Sequence, residues 1–121
     1  MDFNSKYCIE NPINVAVVGR INLKAGRDVK IGEEVSIYEL FGGEELQKEF
    51  IVESDIELDK TKLKINVEKV GEIECIADAF KKKGAKASIW NIMKYKDMSM
   101  KIKSAREVEK GENLSITIET I

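Results

Sequence analysis

Two stretches of this chain are near copies of each other. GRDVKIGEEVSIYE occupies residues 26–39 and AREVEKGENLSITIE residues 105–119. At a constant shift of 79 positions, Arg27 falls on Arg106, Asp28 on Glu107, Val29 on Val108 and Gly32-Glu33 on Gly111-Glu112. Val35 then falls on Leu114, and Ser36-Ile37 on Ser115-Ile116. Each copy reads as a short extended piece, a tight turn at its glycine, and a strand whose apolar residues enter the core. Any two β-turn-β units in a Lys/Glu-rich chain share some letters, but an ungapped run of matches favours a repeat over coincidence. A chain that contains this unit twice is constrained to be largely β.

The rest of the sequence is consistent with that. Pro12 marks a turn ahead of INVAVVGRINL, an Ile/Val-rich strand candidate, and LKAGRD turns after it. VSIYELF and EELQKEFIVES flank Gly42-Gly43, which predicts a hairpin. KLKINVE alternates, with Leu63, Ile65 and Val67 on one face. The period then changes: Ile73, Ile76, Ala77 and Phe80 are spaced as one helical face. Glu72 and Glu74 in the first turn, Lys81 to Lys83 in the last and Gly84 as a stop favour an amphipathic helix over about 72–83. A strand through EIECIA is the competing reading, because Ile73 and Cys75 also alternate. AKASIWNIMKY, MSMKIKSA and LSITIETI return to strand-like text. The expectation is a mostly β (α+β) single domain over 1–121, a small closed or partly open β-barrel with one inserted helix.

Composition narrows the chemistry. The 121 residues include no histidine, which removes the commonest general base and transition-metal ligand. Cys8 and Cys75 form no CxxC pair, and Cys75 lies among apolar neighbours that predict a buried, inert thiol. Glu33-Glu34 and Glu44-Glu45 are adjacent carboxylates, which point to opposite faces of a strand rather than at one substrate. No loop has ligand spacing for Mg²⁺ or Ca²⁺. The expectations are therefore no catalytic residue, no metal and no cofactor. There is neither a signal-like start nor an apolar run approaching the ~20 residues of a membrane span, so the expected location is cytoplasmic, with no membrane partner. Seventeen lysines against three arginines and sixteen isoleucines fit either a thermophile or an AT-rich genome.

VVGRINLKAGRDVKIGEEVSIYE resembles the opening of the barrel that forms the second domain of elongation factor Tu and related translation factors. Gly19, Arg20 and Ile21 match its first strand, and Lys30, Gly32, Glu33, Glu34, Val35 and Ile37 its turn and next strand. Ala105, Gly111, Glu112, Asn113, Leu114 and Ile116 resemble the closing turn and last strand of that barrel. The resemblance covers about a third of the chain. Nothing matches the GxxxxGK[ST] loop of the accompanying GTPase domain, and residues 40–103 exceed the family's middle section. The R-[DE]-[VI]-x-x-G-E pattern is also similar to SAF-type β-clip domains. Both resemblances imply a compact binding module, and the first implies contact with tRNA or the ribosome.

Charge is unevenly spread along the chain. Between Asp28 and Lys60 eleven acids face three lysines, and between Lys81 and Arg106 nine basic residues face Asp97 alone. The two segments thus carry about −8 and +8, an imbalance that selects partners. The basic segment includes Trp90 and Tyr95. Lysines beside exposed aromatics neutralise phosphates and stack bases; equally, Trp90 within ASIWNIM suits a core. The favoured function is a non-catalytic module binding RNA or a ribonucleoprotein through Lys82, Lys83, Lys86, Lys94, Lys96, Lys101 and Lys103, with Trp90 and Tyr95 stacking. The alternative is a structural or protein-interaction module, with a protein partner or self-association through opposite charged faces.

Overall fold

The computed structural model describes residues 15–121. The turn expected at Pro12, the start of the first expected strand and Cys8 lie outside the described residues. The chain is mostly β with four short helices among the described residues. In order these elements are β1 (Val17–Lys24), β2 (Glu34–Ser36), α1 (Ile37–Phe41), α2 (Gly43–Leu46), β3 (Phe50–Ile51) and β4 (Lys62–Val67). They are followed by β5 (Gly71–Ile76), β6 (Lys86–Ala87), α3 (Ile89–Ile92), α4 (Tyr95–Met98), β7 (Lys101–Lys103) and β8 (Asn113–Thr120).

The second six elements repeat the first six. A shift of 52 positions carries Val35 onto Ala87, Ser36-Ile37-Tyr38 onto Ser88-Ile89-Trp90, and Phe50 onto Ile102. Pairing follows the same relation: β2 pairs with β7 and β3 with β6, so Val35 opposite Ile102 becomes Ala87 opposite Phe50. The main sheet has the order β1-β8-β4-β5, which reads the same from either end once the halves are exchanged. One residue is gained between Ile56 and Leu63 relative to Val108 and Leu114, and beyond it the shift is 51. The halves are therefore related by a pseudo-two-fold axis through the β4–β8 pairing. All five strand pairings join one half to the other; neither half pairs with itself among the described residues.

Period-2 patterning accounts for the sheet. Leu63, Ile65 and Val67 of β4, Leu114, Ile116 and Ile118 of β8, and Ile73 and Cys75 of β5 are buried. Cys75 is free and buried, and that burial, with Asp97 adding to it, pushes its thiol up to about 11. Two glycines permit the small strands to close onto the sheet. A side chain at Gly19 would enter the Phe50 ring, and one at Gly71 would enter Ile102, which is the equivalent position.

The 79-residue echo is realised as two loops that pair. Val29 and Val108 exchange backbone hydrogen bonds at 2.9 Å. Gly32 and Gly111 take φ +85° and +88°, and Arg27–Glu33 and Arg106–Glu112 form matching ion pairs. The Gly32 N–H donates to Ser104 O at 2.7 Å and the Gly111 N–H to Ala25 O at 2.8 Å. A second loop pair, joined at Ile56 and Lys81, repeats this geometry with Gly84 at φ +94° and Asp59 at φ +60°.

Several expected elements are corrected. The amphipathic helix over 72–83 is absent: residues 71–76 form β5, because alternation of Ile73 and Cys75 prevailed over the 3.6-residue period. Ile76 and Phe80, which that helix would have buried, are 43% and 58% exposed. Gly84 is a turn residue, not a helix stop. The hairpin at Gly42-Gly43 is a break between α1 and α2. Strand β2 ends at Ser36, whose hydroxyl accepts the Glu39 N–H while the Glu39 carboxylate accepts the Ser36 N–H. This capping box, worth about 1 kcal/mol, converts the continuation of VSIYELF into a helix. Ser88 and Asn91 do the same for ASIWNIM. The sheets among the described residues are one of four strands and two of two strands, not a single closed barrel.

Candidate interaction surface

Short helices in and after the small sheets carry a cluster of three aromatics, Tyr38, Trp90 and Tyr95. Tyr38 of α1 and Trp90 of α3 are pseudo-symmetry mates, and their ring centroids lie 6.1 Å apart at 40°. The axis therefore runs close to this pair. Tyr95 of α4 meets Tyr38 edge-on, 5.5 Å away at 68°. The equivalent of Tyr95 in the first half is Gly43, where an added Cβ would lie 3.3 Å from the Trp90 ring. Trp90 is 37% exposed and Tyr95 59%, so neither is a core residue.

Beside the rings lies a groove of about 410 Å³ lined by Ser36, Tyr38, Glu39, Tyr95, Ser99 and Lys101. Lys101 pairs with Glu39, and that hydrogen bond, followed by the Ser36 N–H, holds the Glu39 carboxyl down at about 2. Glu39 is thus a fixed anion within an aromatic groove.

The sequence-predicted residues divide. Tyr95 and Lys101 line the groove, and Trp90, Lys94 and Lys96 belong to the same α3–α4–β7 stretch of chain. Lys82 and Lys83 belong to the loop that pairs through Lys81 with Ile56. Lys82 lies 5.4 Å from the Phe80 ring centre and 3.8 Å from Asp55, whose carboxylate also accepts the Lys83 N–H at 2.8 Å. Lys86 stands opposite Ile51 in the β3–β6 ribbon, and Lys103 opposite Glu34 in β2–β7. Lys94 meets Asp59 at 3.5 Å. The acidic and basic segments thus meet each other across the two halves. Lys82–Asp55, Lys94–Asp59 and Lys101–Glu39 each join a basic residue of the second half to an acid of the first.

Tyr38, Glu39 and Ser99 were not singled out in the sequence, because Tyr38 and Glu39 stood inside an expected strand. The signal that marks Tyr38 and Glu39 is the 52-position match of SIYELF to SIWNIM; Ser99 has none. Among the described residues no group of three metal-ligating side chains converges, and no helix is long and apolar enough to cross a membrane. No protein-family model, no curated protein and no solved structure matches this chain.

Proposed function

We propose that this chain is a non-catalytic binding module that docks a protein partner through the Tyr38–Trp90–Tyr95 patch. The observation that carries this reading is the three-ring contact itself, built from both halves at the pseudo-axis, with Tyr38 packed partly against the core and Trp90 and Tyr95 open to solvent. Tyr and Trp are the side chains that anchor protein interfaces, since they bury large rigid areas at small entropic cost. Internal pairing of Lys82, Lys94 and Lys101 with carboxylates lowers the unpaired positive charge available to phosphates. The resemblance to translation-factor barrels and β-clips belongs to the same reading of a compact binding module.

A second reading is kept by one observation: Tyr95, the most exposed of the three rings, stands between Lys94 and Lys96. On it, single-stranded RNA stacks on Tyr95 and Trp90 while Lys94, Lys96 and Lys101 meet phosphates. Selection from a displayed random-peptide library, with Trp90→Ala and Tyr95→Ala as counter-screens, tests the first reading. Peptides that bind the natural chain and neither variant support it; a library yielding no ring-dependent binder overturns it. Titration with fluorescent single-stranded RNA at rising salt tests the second, which requires affinity falling linearly in log salt.

A further inference from the structure

The duplicated chain contains its own comparison for every surface feature. The groove beside Tyr38 has a pseudo-symmetric counterpart beside Trp90, in which Glu39 becomes Asn91, Tyr95 becomes Gly43, Ser99 becomes Gln47 and Lys101 becomes Glu49. The counterpart thus lacks the second ring and holds an amide where Glu39 stands, its own carboxylate, Glu49, occupying the place of Lys101. The two halves retain their turns, caps and pairing, and at this groove, as at many surface positions, they differ in chemistry.

Glu39 is also half used. Its Oε1 accepts from the Ser36 N–H at 3.0 Å and from Lys101. Its Oε2 is the acceptor of neither bond, and the side chain lines the groove beside the Ser36 hydroxyl, which also helps to hold the carboxylate ionised. The carboxylate is therefore oriented by two donors, with an oxygen left over and two tyrosine rings at 68° beside it.

We propose that this groove is a socket for an arginine side chain of the partner protein, its guanidinium lying against Tyr95 and Tyr38 and donating to Glu39 Oε2. The proposal rests on the protein-docking reading above and names what the patch recognises. A guanidinium satisfies the three features together: it is cationic, it is planar enough to lie on a ring face, and it donates to a carboxylate oxygen. An ammonium meets the first and third but is compact and strongly hydrated, and it cannot stack. Lys101 does not close the site, because its ammonium is committed to Oε1. A nucleobase meets the stacking requirement, but its phosphate enters a surface that also displays Glu39, held ionised.

The test is an amide- and ring-resolved NMR titration of the full chain with Nα-acetyl-arginine methylamide. The corresponding lysine derivative and guanosine monophosphate serve as competing probes. Arginine is expected to shift Tyr38, Glu39 and Tyr95. Its affinity should fall roughly threefold to tenfold in Glu39→Gln and in Tyr95→Ala, and the lysine derivative should bind more weakly by a similar factor. Glu49→Gln, in the counterpart groove, should leave arginine binding unchanged, and thermal melts establish that each variant is folded. The proposal is overturned by any of three results: no arginine-dependent shift at tens of millimolar, lysine or the nucleotide binding as well as arginine, or shifts centred on Gly43 and Gln47. If arginine fails while library-selected peptides still require Trp90, the socket is wrong and the docking surface stands. If no peptide requires the rings, the docking reading itself has failed.

Discussion

Glu39 serves both fold and surface, and its titration exposes the first role. Lys101 and the Ser36 N–H hold its carboxyl at about 2, against 4.5 for an unperturbed group. A depressed folded value means that the stabilisation is complete above pH 4.5 and is lost as pH falls from there towards 2. Melting temperature should therefore fall more steeply in the natural chain than in Glu39→Gln over that window. Parallel curves would sink the assignment. Glu112, lowered by Arg106 and by the Glu109 N–H, and Glu45, lowered by Lys48 and the Lys24 N–H, add to the same acid sensitivity. A second residue-scale prediction concerns Lys69, which takes φ +58° in the turn between β4 and β5. This left-handed conformation is costly for any residue with a Cβ, and Lys69→Gly should raise stability by about 1 kcal/mol in urea titrations. An unchanged or lower midpoint would show that the turn carries no strain.

At the scale of elements, the glycines beneath the small sheets set how closely the layers approach. Gly19→Ala drives a methyl group into the Phe50 ring, and overpacking of this kind costs about 1–3 kcal/mol. Adding Phe50→Leu should recover part of that loss, whereas two losses that simply add would mean the glycine matters for another reason, such as the bulge between Val17 and Gly19. The same elements show what the sequence disclosed. Alternation located β4, an Ile/Val-rich run located β1, and the 79-position echo located Gly32 and Gly111 as turns and β8 as the strand after the second, because those signals are local. The helices were hidden by length. IYELF and IWNI span barely one turn each, too short for a helical period to register, and their only marks are the Ser36–Glu39 and Ser88–Asn91 capping boxes. Ile73, Ile76, Ala77 and Phe80 matched a helix by spacing, and Glu72, Glu74, Lys81 to Lys83 and Gly84 matched its ends, but tertiary pairing with β4 decided for a strand. Of the candidate site, Trp90 and Tyr95 were visible as aromatics in a basic run. Tyr38 was not, because it reaches them only through the pseudo-two-fold contact of the halves.

For the whole molecule, the consequence of that symmetry is interdependence. The split between acidic and basic segments, which in the sequence suggests a charged face for a partner, is in part a complementarity between the halves: Asp55, Asp59 and Glu39 meet Lys82, Lys94 and Lys101. Every ladder, from Val17 opposite Glu119 to Val67 opposite Gly71, draws one strand from each half. A half that loses its partner thus loses all of its strand pairing at once and exposes its share of the Leu, Ile and Val core. Unfolding should accordingly be all-or-none. Trp90 emission reports the second half in the natural chain; Tyr38→Trp in a Trp90→Phe background reports the first. In urea, each probe should share one midpoint with far-UV circular dichroism measured on the same protein. Separate midpoints would mean that one half keeps its structure after the other has melted, which a fold without pairing inside either half does not allow.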